Sequence, residues 1–276
     1  MLAKAPGLAA DELVVDLEDA VAASMKEAAL ASVVAALASE AWADVAVSVR
    51  VNGPRTPWCH FDIAALAAVP ERPVGIVVPK VESAGDLAFV DRLLDGAEAT
   101  AGRARPLRVQ ALIETAAGLS RVQEIAGAST RLDALILGYA DLAVSLGRTG
   151  AGREDLDAWR PAQEMVLLAA RAHGLQAIDG PYLGVAVDAA FTNAVARARD
   201  LGFDGKWAIH PSQLPALNDA FTPTDEEVEG ARHVIAALAQ AEREGGAGAV
   251  ALDGQMLDEA VRAAALRTLA RAGEAA

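Results

Sequence analysis

Short apolar runs alternate along this chain with alanine-rich stretches of helical spacing. The runs are Leu13–Leu17, Val45–Val51, Val74–Val78, Leu107–Ile113, Ala134–Leu137, Leu175–Ile178 and Lys206–Ile209, most of them β-branched or leucine-rich. That is the composition of strands buried on both faces. Between them Ala23–Ala41, Asp86–Gly96, Thr115–Gly127, Ala158–His173 and Ala186–Leu201 are rich in helix formers. Gly96, Gly174 and Gly202 stand where helices are expected to stop. Strand and helix in alternation, without hairpin signals, predict an α/β protein with a parallel sheet. A (β/α)8 barrel fits the length but needs one strand more than these seven. The expectation is therefore a barrel domain over residues 1–221 that is one strand short, through either a missing N-terminal strand or an overlooked internal one. A different pattern follows over 222–276. Asp225–Arg243 reads as a helix capped by Thr224, Glu244–Gly248 as a flexible link, Ala249–Leu252 as a short apolar run, Asp253-Gly254 as a turn, and Leu257–Ala270 as a second amphipathic helix. This C-terminal extension is read as a lid or oligomer arm, with a simple packed helix pair as the alternative.

Of 276 residues 53% are hydrophobic, enough for a large core, and 24 Lys+Arg against 38 Asp+Glu give a net charge of −14. Such a balance argues against a nucleic-acid binder and against adhesion to an anionic membrane. Cys59 is the single cysteine, so no intrachain disulfide forms. No basic-then-apolar leader precedes the first strand, and charges interrupt every apolar run well short of ~20 residues. A cytoplasmic protein is expected.

In parallel α/β folds chemistry gathers at the C-terminal ends of the strands. Here those ends carry Asp16, Glu18 and Asp19; Arg50 and Asn52; Lys80 and Glu82; Glu114; Asp141; Asp179; and His210. Seven runs each ending in titratable groups on one rim mark a candidate active site. Glu114 and Asp141 lie about one strand–helix unit apart and should project from neighbouring strands. Two carboxylates in a dry mouth repel unless a cation holds them, and an oxygen-only set without Cys or His suits Mg²⁺. A plain helix cap at Asp141 is the competing reading. Arg50 can clamp a substrate carboxylate or pair with Glu18 or Asp19. Lys80 can serve a phosphate or an enolate, or pair with Glu82 or Glu114. His210 reads as a structural histidine. No Gly-x-Gly-x-x-Gly follows a strand and no Gly-x-Ser-x-Gly elbow occurs, which disfavours a dinucleotide enzyme and a serine hydrolase.

Val14-Val-Asp-Leu-Glu-Asp-Ala-Val21, Arg50-Val-Asn52, Val78-Pro-Lys-Val-Glu-Ser83, Leu112-Ile-Glu-Thr-Ala116, Gly138-Tyr-Ala-Asp-Leu142, Ala177-Ile-Asp-Gly-Pro181 and Gly202-Phe-Asp-Gly-Lys-Trp-Ala-Ile-His-Pro211 together resemble the HpcH/HpaI aldolase and citrate lyase family. The likeness is greatest to citrate lyase β-subunit-like proteins and malyl-CoA and citramalyl-CoA lyases, and runs from about residue 2 to 265. The resemblance implies a (β/α)8 barrel that breaks or forms a C–C bond beside a thioester carbonyl with Mg²⁺. It implies Glu114 and Asp141 as metal ligands, Arg50 on the α-keto acid carboxylate, and the Gly138, Tyr139 and Ala140 backbone beside that keto acid. Asp258 then matches an acid/base that reaches a neighbouring subunit's site, within a homotrimer or hexamer. Lys80 is a candidate for the enolate. Substrates would be citryl-, malyl- or citramalyl-CoA-type thioesters, with an acyl-carrier subunit as partner in the citrate lyase case. A thioesterase built from the same parts, and a non-catalytic truncated subunit, are the alternatives. Family members usually open with a strand of the type Arg-Ser-x-Leu-x-Val-Pro-Gly, whereas this sequence opens at the following helix, Met1-Leu-Ala-Lys-Ala5. A start assigned too late is the favoured explanation.

Overall fold

A computed structural model describes residues 2–70, 74–148, 157–243, 250–252 and 255–274. Seven strands, β1 (Leu13–Asp16), β2 (Val47–Arg50), β3 (Val74–Val78), β4 (Arg108–Ile113), β5 (Leu132–Leu137), β6 (Gln176–Asp179) and β7 (Gly205–Lys206), pair side by side in chain order. Every pairing is parallel. The crossovers are α1 (Lys26–Ala38), α2 (Cys59–Ala67), α3 (Ala84–Ala101), α4 (Ala116–Ser120), α5 (Val122–Ala126), α6 (Tyr139–Ser145), α7 (Arg160–Ala172) and α8 (Ala189–Leu201). The curled sheet has the architecture of a (β/α) barrel wall.

Register fixes what each face of the sheet carries. Val14, Ser48 and Gly75 align, and Arg50 aligns with Val77, so one face runs in layers along the strands. At the strand starts Glu12 accepts from Ser48 Oγ and from Gln110 Nε2 at 2.9 and 3.0 Å, which makes a polar floor. In the middle Val77, Leu112 and Ile136 pack with Val14, Ile178 and Trp207 in an apolar belt. Asp16, Arg50 and Glu114 lie at the strand ends. The opposite face presents Val49, Ile76, Val78, Ile113, Leu135 and Leu137, all buried to within a per cent of completely, beneath the helices. Burial on both faces is why the strands read as continuous apolar runs.

Three expectations change. Helix α3 runs straight through Gly96 and stops instead at Gly102, whose φ of +66° gives the left-handed cap. The seventh strand is Gly205–Lys206 rather than Lys206–Ile209, because Trp207 turns into the apolar belt and Ile209 is exposed. The stretch Thr115–Gly127 is two short helices joined at Arg121.

Contacts divide the chain into one compact unit up to Leu217 and a second from Asn218. Helix α9 (Leu214–Phe221) precedes the second unit's main elements, α10 (Asp225–Arg243), the antiparallel pair β8 (Val250–Leu252) and β9 (Gln255–Leu257), and α11 (Glu259–Arg271). Val228 and Ala231 of α10 bury against Ala265 and Leu269 of α11. The link at 244–248 and the Asp253-Gly254 turn lie outside the described residues. Among those described, no helix is long and apolar enough to cross a membrane.

Candidate active site

The ends of β1 to β5 bring seven titratable groups into one connected cluster. Arg50, at the end of β2, donates from Nε to Asp16 Oδ1 at 2.8 Å and from Nη2 to Asp16 Oδ2 at 2.6 Å. Its Nη1 lies 3.3 Å from Glu18 Oε2. Burial opposes the charge on both partners, but hydrogen bonding outweighs it: Asp16 is held below the usual carboxylate range and Arg50 above its ordinary value. Lys80 follows β3. Its ammonium donates to Glu18 and, at 3.1 Å, to Asp19, and lies 3.8 Å from Asp141 Oδ1. Of the two partners expected for Lys80, Glu82 pairs instead with Arg55 at 3.3 Å, while Glu114 acts on the ammonium through its charge without a direct ion pair.

Lys80 adopts φ +51°, a left-handed backbone that non-glycine residues seldom take. The conformation has a visible use, since its main-chain N–H donates to Glu114 Oε1 at 2.9 Å. Strain of this kind persists only where the surroundings enforce it and concentrates at functional sites.

Glu114 ends β4 and is 2% exposed. Burial first, and then the charge of Asp141, push its carboxyl up to about 8. Beside it Gly138 comes so close that a Cβ there would lie 2.5 Å from Glu114 Cβ and 2.7 Å from Oε2. Gly138 N–H donates to Ile113 O at 3.0 Å, joining the end of β4 to the start of α6. Asp141 lies in the first turn of α6, half exposed, and the cap position is Gly138, which makes no side-chain cap bond. Asp141 is therefore not the N-cap of that helix.

The donor set fits a hard divalent cation. Glu114 and Asp141 offer only oxygen, and the Lys80 ammonium offsets their repulsion only in part, since the Glu114 carboxyl stays raised; a further positive charge between them is favoured. No group of three or more His, Cys, Asp or Glu residues suited to a metal occurs among the described residues. Water and substrate oxygens would fill the remaining positions, as is usual for Mg²⁺.

Two supporting residues, Lys26 and Asp62, were not singled out from the sequence. Lys26 is buried, donates to the carbonyls of Leu17 and Glu18 at 2.7 Å each, and lies 5.4 Å from the centroid of the Trp58 ring. Asp62 accepts from Asn52 N at 2.9 Å and from its Nδ2 at 2.7 Å. A charged residue inside the apolar stretch Cys59-His-Phe-Asp-Ile-Ala-Ala-Leu-Ala67 was the available clue to the second. Burial pushes the Cys59 thiol up to about 12, so it packs as an inert side chain.

Besides Asn52 and Glu82, two further strand-end groups leave the cluster. Asp179 turns to the helix-covered side and pairs with Lys206 Nζ at 2.6 Å. His210 is exposed and caps a short 3-10 turn by accepting from Ser212 N at 3.2 Å. Tyr139 and Ala140 flank the cluster at the start of α6, Ala140 exposed and the Tyr139 side chain buried. Asp258 is the N-cap of α11, accepting from Ala260 N at 3.0 Å and Val261 N at 3.1 Å.

Comparison with known proteins decides the family. Residues 1–211 match the model of the HpcH/HpaI aldolase/citrate lyase family. The chain belongs to that family. An L-malyl-CoA/β-methylmalyl-CoA lyase of Rhodobacter capsulatus is 39% identical over 266 residues, covering 91% of this chain and 83% of the relative. A (3S)-malyl-CoA thioesterase of Cereibacter sphaeroides is 39% identical over 271 residues, 98% of this chain and 90% of the relative. Among solved structures, protein CitE from Mycobacterium tuberculosis in complex with magnesium, acetoacetate and coenzyme A is 33% identical at a TM-score of 0.76, covering 99% of this chain and 93% of that one. Magnesium thus accompanies this family in a solved relative.

Proposed function

We propose that this protein is a Mg²⁺-dependent carbon–carbon lyase that cleaves a 3-hydroxyacyl-CoA of the malyl type to an acetyl or propionyl thioester and an α-keto acid. The observation that carries the reading is the buried Glu114 carboxylate, opposed by Asp141 and flanked by the oriented Arg50. Glu114 and Asp141 would hold the cation, which when bound supplies Lewis-acid polarisation of the α-oxygen. Arg50 pairs with the keto acid carboxylate, and the Gly138–Ala140 backbone lies along the same planar acid. Asp258 of a neighbouring subunit takes the hydroxyl proton; the O–H electrons become the new C=O, and the C–C bond electrons leave as the thioester enolate. Lys80 places positive charge beside that enolate until it is protonated.

This reading includes a homotrimer or hexamer in the cytoplasm, with residues 1–221 as the catalytic domain and 222–276 as the arm that carries Asp258. It also includes closure of the wall to eight strands: β1 and β7 are the outer strands of the described sheet, and an eighth between them would satisfy both edges. Free CoA thioesters rather than an acyl-carrier subunit are the substrates the 39% identical lyase supports.

A thioesterase is the second reading, favoured by the malyl-CoA thioesterase that aligns with 98% of this chain. Mass spectrometry of products from malyl-, citramalyl-, 3-hydroxy-3-methylglutaryl- and citryl-CoA with Mg²⁺ separates the two. A shortened acyl-CoA plus a keto acid identifies the lyase, whereas free CoA plus an intact hydroxy acid identifies the thioesterase. No turnover with any of the four, alone or with an acyl-carrier protein, overturns both and favours a non-catalytic subunit.

A further inference from the structure

Behind the rim, on the helix-covered side of the sheet, Tyr139 anchors the start of α6. Its hydroxyl donates to Asp179 Oδ1 at the end of β6 and accepts from Gln163 Nε2 of α7 at 2.7 Å. Asp179 Oδ2 accepts from Lys206 Nζ of β7 at 2.6 Å, and the same ammonium donates to Gly180 O at 2.6 Å. The Lys206 nitrogen lies 5.5 Å from the Tyr139 ring centroid, and Trp159 meets that ring edge-on at 5.1 Å.

The side chains of Asp179 and Lys206 are 1% and 2% exposed. An ion pair so deeply buried is weak evidence of stability, because well-packed apolar side chains often do as well there. What it supplies is direction. A tyrosine hydroxyl held between a carboxylate and an amide has one favourable orientation, and apolar packing would leave it several. The helix it begins has particular need of that: α6 has seven residues and no side-chain cap at Gly138, and so short a helix has little stability of its own. Asp141 sits two residues beyond Tyr139, in the same first turn.

We infer that Tyr139, Asp179 and Lys206 form a positioning device that fixes the first turn of α6 and thereby aims the Asp141 carboxylate toward Glu114. The Tyr139 main chain borders the keto acid in that reading, but no side chain of the three touches a reacting group; the side chains act through Asp141. The inference rests on the reading that Glu114 and Asp141 hold the cation.

Mn²⁺ titration of the full-length protein, followed by the electron paramagnetic resonance signal of free Mn²⁺, tests it alongside thermal melting. Tyr139→Phe removes one hydroxyl and should weaken Mn²⁺ binding about 10- to 100-fold, the range for residues that orient metal ligands. Arg171→Met is the comparison variant. It breaks a more exposed ion pair on the same helix as Gln163, Arg171 with Asp204 at 2.7 and 2.9 Å, which joins α7 to the segment before β7; it should lower Tm yet leave Mn²⁺ affinity unchanged. Gln163→Leu, which removes the donor to the same hydroxyl, should weaken binding in the same direction and serves if Tyr139→Phe does not fold. Unchanged affinity in the folded variants, or a loss in Arg171→Met as large as in Tyr139→Phe, overturns the inference. If the unaltered protein binds no Mn²⁺, the assignment of Glu114 and Asp141 fails first and the inference falls with it.

Discussion

Asp16 receives Arg50 through both carboxylate oxygens, at 2.8 and 2.6 Å, so the guanidinium is already oriented before any substrate arrives. Arg50 was open to two readings in the sequence, substrate clamp or internal ion pair, and the internal partner proves to be Asp16 with Glu18 in support. The two roles are compatible, because an acidic backing fixes the plane of the fork. We expect Asp16→Asn to leave folding intact and lower kcat/KM for the hydroxyacyl thioester by about 10²-fold, the cost of a mispositioned group. Steady-state kinetics beside a melting curve check this; an unaltered kcat/KM would mean that Arg50 does not need Asp16.

The raised Glu114 carboxyl sets a pH dependence whose sign follows from linkage. Its value in the folded, metal-free protein is about 8, above the ordinary carboxyl range, so the folded state keeps a proton that the unfolded chain releases. The contribution is therefore favourable at low pH and is lost as pH rises through about 8. Metal must displace that proton. We expect Mg²⁺ affinity to climb with pH and level off above about 8, with proton release visible by calorimetry in buffers of different ionisation enthalpy. Glu114→Gln should abolish both the binding and the proton release.

Gly138 leaves no room for a side chain. An alanine methyl would press on the Glu114 carboxylate 2.7 Å away. Gly138→Ala should destabilise the protein by about 1–3 kcal/mol, the usual cost of overpacking, and weaken metal binding as Glu114 is displaced. Denaturant melts and Mg²⁺ titration measure the two effects separately.

Asp258 offers a cleaner separation of structure from chemistry. As N-cap of α11 it accepts two main-chain N–H groups. Asparagine caps as well as aspartate, whereas alanine costs about 1 kcal/mol. Asp258→Asn should therefore keep Tm and keto-acid binding while turnover drops sharply. Full activity in that variant would reduce Asp258 to a helix cap.

The strands were readable because burial on both faces writes itself as uninterrupted apolar residues, as in Val74–Val78. Helix α2 was not, since its N-cap position, Trp58, makes no side-chain cap bond and so the usual start signal is missing. Helix α6 was hidden in the same way behind Gly138. The rim groups could be named from the strand ends, but their pairing could not. Which of Asp16, Glu18 and Asp19 takes Arg50, and which takes Lys80, depends on register and side-chain direction. Tyr139 shows the limit most plainly, for the sequence reading used only its backbone. Its side chain acquires a role through Asp179 and Gln163, each far away in the chain.

The apolar belt of Val77, Leu112 and Ile136 divides the polar floor at Glu12 from the charged groups at the other end of the strands. Glu114 feels Asp141, Lys80 and Glu18 as its charged neighbours, and Glu12 is not among the principal influences on it. Val77, Leu112 and Ile136 carry no group that can relay a proton. A proton gained or lost by Glu114 is therefore exchanged on its own side of the belt, and none passes through these three side chains to Glu12.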